Sequence, residues 1–159
     1  MQIAEVFLPD RDNTAAAFNY TMNGDVVPND SLNSTQLRFA RNTLSLVGLD
    51  KRLDQVLDSN GNLVAIDRVA QRMEAWLIAV ESRNDLELNP SDSFRRQIVR
   101  AALGHGFFTI WMTVFQDNPT VRSLLIGAFG GTATDCFDSN STRTISPRPS
   151  NGLADGSKV

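Results

Sequence analysis

Apolar residues recur at helical spacing from Ser34 to Phe129, and the polar stretches between them carry helix start and stop signals. Leu37, Ala40, Leu44 and Val47 share one face, with Asn33 or Ser34 placed to cap them and Gly48 to interrupt. Leu49, Leu53, Val56 and Leu57 continue an amphipathic pattern. Ile66, Val69, Ala70, Met73, Trp76, Leu77 and Val80 fall at offsets 0, 3, 4, 7, 10, 11 and 14, a stripe expected to face the core. After the connector "ESRNDLELNPSD", Ser91 or Asp92 caps a third helix. Phe94, Ile98, Ala101, His105, Phe108, Met112 and Phe115 form its seam. Leu103, Phe107, Ile110, Trp111 and Val114 cover much of the rest, so the pattern predicts one central helix running through to Phe115, buried on several sides. In "QDNPTVRSLLIGAFGG", Asn118 can cap, Pro119 suits the first helical position and Gly130 suits a left-handed residue after the end.

Before this run, "AFNYTMNGDVV" places Phe18, Tyr20 and Met22 on one face of an extended segment. Asn23-Gly24 offers two positive-φ positions for a tight turn, and Val26-Val27 return as far as Pro28, which predicts a short β-hairpin. After it, "GGTATDCFDSNSTRTISPRPSNGLADGSKV" is rich in Gly, Ser, Thr, Asn, Asp and Pro. Its apolar points are Cys136-Phe137, Ile145, Leu153 and Val159, too few to fold alone. The expected fold is mainly α: a small helical bundle of about four helices at 32–130. An N-terminal arm or hairpin at 1–31 and an extended C-terminal arm at 131–159 flank it.

Composition narrows the class. The chain has 159 residues, 42% apolar and 21% charged, ordinary for one globular domain. Its net charge is -3, which argues mildly against a general nucleic-acid binder. The only lysines are Lys51 and Lys158, so the other basic residues are Arg, which favours planar, bidentate pairing. One cysteine allows no intramolecular disulfide. The start, "MQIAEVFLPDRD", lacks the basic-then-apolar pattern of a secretory signal. The most apolar window, residues 101 to 115, is too short for a bilayer core at about 1.5 Å per residue, so no membrane partner is expected.

Candidate chemistry is sparse. In "VLDSNGNLVAIDRV", Asp58, Asn60 and Asn62 alternate as calcium-loop ligands do. Counted from Asp58, however, Leu63 stands at the sixth position, where Gly is needed, and Val69 at the twelfth, where Glu is needed. A turn about Asn60-Gly61 is the better reading, joining either two helices or a hairpin. His105, the single histidine, is expected as a core or helix-contact residue, with Gly104 and Gly106 admitting a close neighbouring backbone. A Cys136–His105 thiolate pair is disfavoured by Asp135 and Asp138, which raise a thiol pKa. "CF" reads instead as an apolar anchor for the tail. Asp50, Asp54 and Asp58 would share a helix face, solvated or facing a basic partner. Arg95, Arg96 and Arg100, with Arg72 and Arg83, either grip phosphates or pair with Glu81, Asp85, Glu87 and Asp92, and pairing is the plainer reading. No phosphate-cradling loop, CxxC, dinucleotide fingerprint or HExxH is present. Accordingly no catalytic residue, cofactor or metal ligand is expected.

The helical run from Ser34 to Phe129 followed by "GGTATDCFDSNSTRTISPRPSNGL" resembles, in layout, the head-to-tail connector (adaptor) family of tailed-phage virions. Members of that family pair a small helical bundle with an extended C-terminal arm. The resemblance implies a virion protein assembled in the host cytoplasm as a ring below the portal, touching portal or tail proteins. Its arm would lie against a neighbouring subunit. The expected function is therefore structural, not enzymatic, with Phe137, Ile145, Leu153, Arg95, Arg96 and Arg100 as interface residues. The alternatives are a filamentous-virus coat or nucleocapsid protein, with the Arg cluster on nucleic acid; a small helical enzyme using His105 or Cys136; and a soluble helical module binding one partner.

Overall fold

The computed structural model describes residues 5–8, 12–49, 59–60, 68–130 and 136–137. The protein is mainly helical, with one small antiparallel hairpin. A single helical turn, α1 (Thr14–Ala17), leads into β1 (Phe18–Tyr20), and β2 (Val26–Pro28) returns with Phe18 opposite Pro28 and Tyr20 opposite Val26. Four longer helices and one short one complete the fold: α2 (Ser34–Val47), α3 (Arg68–Leu88), α4 (Asp92–His105), α5 (Phe108–Val114) and α6 (Pro119–Ala128).

Local sequence explains most of these boundaries. Asn33 and Gln36 form a reciprocal capping box at the start of α2, and Gly48 closes its end in a left-handed conformation. Ser91 caps α4 by accepting from the Phe94 amide at 3.2 Å. Asn118 caps α6 through the Val121 amide at 3.1 Å, with Pro119 in the first turn. The residue after α6 differs from expectation. Phe129 leaves the helix in an extended conformation, and Gly130 is not among the positive-φ residues.

The hairpin turn has three residues, not two. The Gly24 amide donates to the Thr21 carbonyl at 3.0 Å and the Thr21 amide to the Asp25 carbonyl at 3.0 Å. Gly24 alone has positive φ (75°), while Asn23 does not. Gly24 also brings the turn against α3. A Cβ there would stand 2.6 Å from the Val69 carbonyl oxygen, so only glycine lets the two backbones approach. Arg72 then donates from Nε to the Gly24 carbonyl, which explains how its guanidinium can be buried inside the fold.

Two hydrophobic clusters result. The smaller joins Phe7, Ala17, Phe18, Val26, Ala40 and Leu44, with Phe7 edge-on to Phe18 and Phe39. The Phe7 amide is held by Thr43 Oγ1 at 2.8 Å. β1 packs along α5 and β2 along α2, so the N-terminal segment is built into the helical body. The larger cluster gathers Ala79, Leu86, Ile98, Trp111, Phe115, Val121 and Leu125 from α3, α4, α6 and the α5 region.

Two sequence expectations are corrected here. The long third helix is two helices. It breaks at Gly106 (φ 74°, ψ −150°) and Phe107 (φ 55°), and the Trp111 indole N–H donates to the Gly106 carbonyl at 3.0 Å. Apolar spacing continues across the break because α5 is buried on almost every side, which periodicity cannot distinguish from helix continuation. The second correction is a rotation of α3. Its inward residues are Arg72, Ala75, Ala79 and Leu86, while Met73 and Leu77 point outward at 46% and 58% exposure. Small alanines face inward because α3 packs on bulky α5, which fills the space with Trp111 and Met112, and Phe115 follows at its end.

Candidate functional site

The structure scatters the chemistry-bearing residues. His105 is exposed at the C-terminal turn of α4, not in the core, and a Cβ on Gly104 would meet nothing within 4 Å. The close helix packing expected there is absent, and Gly106 serves to end the helix. Cys136 is buried in the larger cluster beside Phe137. The Asn13 side-chain amide donates from Nδ2 to the Cys136 carbonyl at 2.9 Å, and Phe137 meets Phe108 edge-on at 5.9 Å. "CF" therefore anchors the tail in its own chain. Ile145 and Leu153 lie outside the described residues, as do Asp50, Asp54, Asp58 and Asn62. Ser59 and Asn60 form part of a turn.

The arginines divide among three environments. Arg72 is buried under the hairpin. Arg83 and Arg95 border a cavity of about 300 Å³ with Glu87, Asp117 and Phe115. Both are neutralised locally: Arg83 Nε lies 3.8 Å from Glu87, and Arg95 pairs with Asp92. For those two, pairing within the chain is what the structure contains. Arg122, buried near this cavity, is drawn below its ordinary pKa by burial, partly offset by Asp117. Arg96 and Arg100, by contrast, are exposed and make no ion pair among the described residues.

Arg96 and Arg100 rim an open groove of about 410 Å³ between α4 and α6, with Val99, Leu124, Gly127 and Ala128 as its apolar lining. Small residues on α6 make the depression, since a Cβ on Gly127 would meet nothing within 4 Å. Leu103, one turn beyond Val99 on α4, is 49% exposed and extends the apolar strip.

A second surface is the outer face of α3. Met73 and Leu77 are exposed one turn apart, Met73 with its Cγ beside the Gly24 turn, and Leu88, 83% accessible, stands further along the same face beyond Glu81 and Asn84. Glu74, Glu81 and Asp85 run along one side of it, all exposed and without an ion pair among the described residues. Sequence reasoning missed this surface because it assigned Met73 and Leu77 inward. The available signal was Arg72, Ala75, Ala79, Ser82 and Leu86, a competing stripe at alternating steps of three and four.

No described helix is long and apolar enough to cross a membrane, and no group of three or more His, Cys, Asp or Glu among the described residues could hold a metal ion. No protein-family model, curated protein or solved structure matches the chain.

Proposed function

We propose that the protein is a structural subunit of a multi-chain assembly. The observation that carries this reading is the position of Met73, Leu77 and Leu88. They stand outside two cores that the chain closes with other residues. Each large apolar side chain gains about 1.5–3 kcal/mol on full burial, so a partner that covers Met73, Leu77 or Leu88 gains from each. A head-to-tail connector of a tailed-phage virion, ring-forming and bordered by portal or tail proteins, is the assembly this layout supports best. The Cys136-Phe137 anchor supports the same reading, because it fixes where an arm would leave the body.

The test is the solution mass of the full chain by sedimentation velocity, with negative-stain images of the same sample. Multi-subunit mass and closed annuli are expected. A single-subunit mass at every concentration up to about 100 µM, far above the dissociation constant of a micromolar contact, would overturn the proposal. A chain ending at Phe137 keeps the anchor and loses only residues 138–159. Its assemblies are expected to be smaller or to need higher concentration.

A further inference from the structure

We infer that the outer face of α3 on one subunit docks into the α4–α6 groove of a second copy, giving a head-to-tail contact. This inference rests on the assembly reading and names the surfaces that make it. The two surfaces share no residue, so one subunit can offer both at once.

Their chemistry is complementary. The α3 face carries Met73 and Leu77 followed by the carboxylates Glu81 and Asp85, and the groove is apolar with guanidiniums along one rim. Glu81 and Asp85 are four residues apart on α3, and Arg96 and Arg100 are four apart on α4. Both pairs therefore repeat at about 6 Å along their helices, so a carboxylate can stand opposite each guanidinium in one register. Leu77, one turn before Glu81, and Leu124, in the groove lining, are the exposed leucines that test the two surfaces. A like-with-like contact is disfavoured: two grooves would bring four guanidiniums together, and two α3 faces would bring their carboxylates together. The contact is thus heterologous, which propagates from subunit to subunit and closes into a ring or extends as a filament according to its rotation.

The experiment uses full-length Leu77→Lys and Leu124→Lys, both at exposed positions, with circular dichroism to confirm the unaltered fold. At a concentration where wild type sediments as a multi-subunit species, each variant is expected to sediment as a monomer. An equimolar mixture should give a one-to-one dimer, because each variant retains the surface that the other lacks. Arg96→Glu/Arg100→Glu should also lose assembly, and adding Glu81→Arg/Asp85→Arg in the same chain should restore it. Variants that still assemble like wild type would overturn this contact while leaving the assembly reading standing. A wild-type monomer would overturn both. A wild-type monomer whose Arg96 and Arg100 bind nucleic acid in a salt-sensitive way would assign the groove rim to that partner instead.

Discussion

Gly104 and Gly106 flank His105 in "GHG", yet their replacement by alanine should act in opposite directions. Gly104 is the penultimate residue of α4, in helical conformation, and its added Cβ would point into open space. Alanine there gains backbone entropy and helix propensity, about 0.5 kcal/mol so close to the helix end. Gly106 has φ 74° and ψ −150°, a region essentially reserved for glycine. A Cβ at Gly106 would also meet nothing within 4 Å, so its cost is backbone strain alone, about 1–3 kcal/mol. Relaxation is resisted, because the Gly106 carbonyl accepts from the fully buried Trp111 indole at 3.0 Å. For a chain of this size, roughly 2–4 °C accompanies each kcal/mol. Thermal unfolding followed by circular dichroism should therefore show Gly104→Ala raised by about 1–2 °C and Gly106→Ala lowered by about 2–12 °C. A continuous helix through Phe115 makes a different forecast: both alanines stabilise. Stabilisation by Gly106→Ala would refute the break between α4 and α5.

Two further outcomes concern a half-buried tyrosine and a buried thiol, each occurring once in the chain. Tyr20 is the single tyrosine, and its hydroxyl is pushed above its ordinary value, chiefly by burial, with the Arg72 charge opposing. A raised folded pKa means that the unfolded chain releases this proton first. Stability from Tyr20 is then full below about pH 10 and falls as pH rises through the folded value. Tyrosinate absorbance should titrate later in native buffer than in concentrated urea, and an equal or earlier native titration would contradict the burial of Tyr20. Cys136 is the single thiol, buried and tied through its carbonyl to Asn13. It should react slowly with a bulky thiol reagent, and Asn13→Ala should speed that reaction, since a lost buried partner costs about 1–3 kcal/mol. Rapid modification of the wild type would show that the anchor is open.

Features that reside in a few adjacent residues were legible in the sequence: the Asn33 and Asn118 caps, the Pro119 start, the hairpin and the apolar pair Cys136-Phe137. Each depends on local stereochemistry that residue type encodes directly. The rotation of α3 was not legible, because periodicity weighs apolarity and ignores volume. Ala75 and Ala79 contribute little to a hydrophobic stripe, yet they are the residues that let the bulky α5 approach. Burial of Arg72 was hidden for a related reason. One of its partners is the Gly24 carbonyl, which lies 48 positions away in sequence. The Arg95, Arg96 and Arg100 cluster was legible as composition but not as geometry. A helix turns about 100° per residue, so Arg95 and Arg96 border different depressions despite being adjacent.

The extent of α3 also bears on why an arm would be needed. From Met73 to Leu88 the outer face of α3 is about 23 Å long at 1.5 Å per residue, and a helix presents a strip about 10 Å wide. The resulting footprint is near 230 Å², and even doubled for side-chain relief it falls below the roughly 800 Å² per partner of a standard stable interface. Docked as proposed, the two surfaces would supply register and direction through Leu77, Glu81, Asp85, Arg96 and Arg100, but too little buried area for tight association alone. Residues after Phe137 would supply the rest, tethered at a defined point by Cys136 and Phe137 in the larger core. Two weak contacts joined by one chain act at a high effective concentration, so together they bind far more tightly than either does separately. The chain ending at Phe137 is therefore expected to assemble weakly, not to lose assembly outright, and Leu77→Lys in that shortened chain should abolish what remains. Undiminished assembly of the shortened chain would mean that the helical surfaces suffice, and the area argument would be wrong.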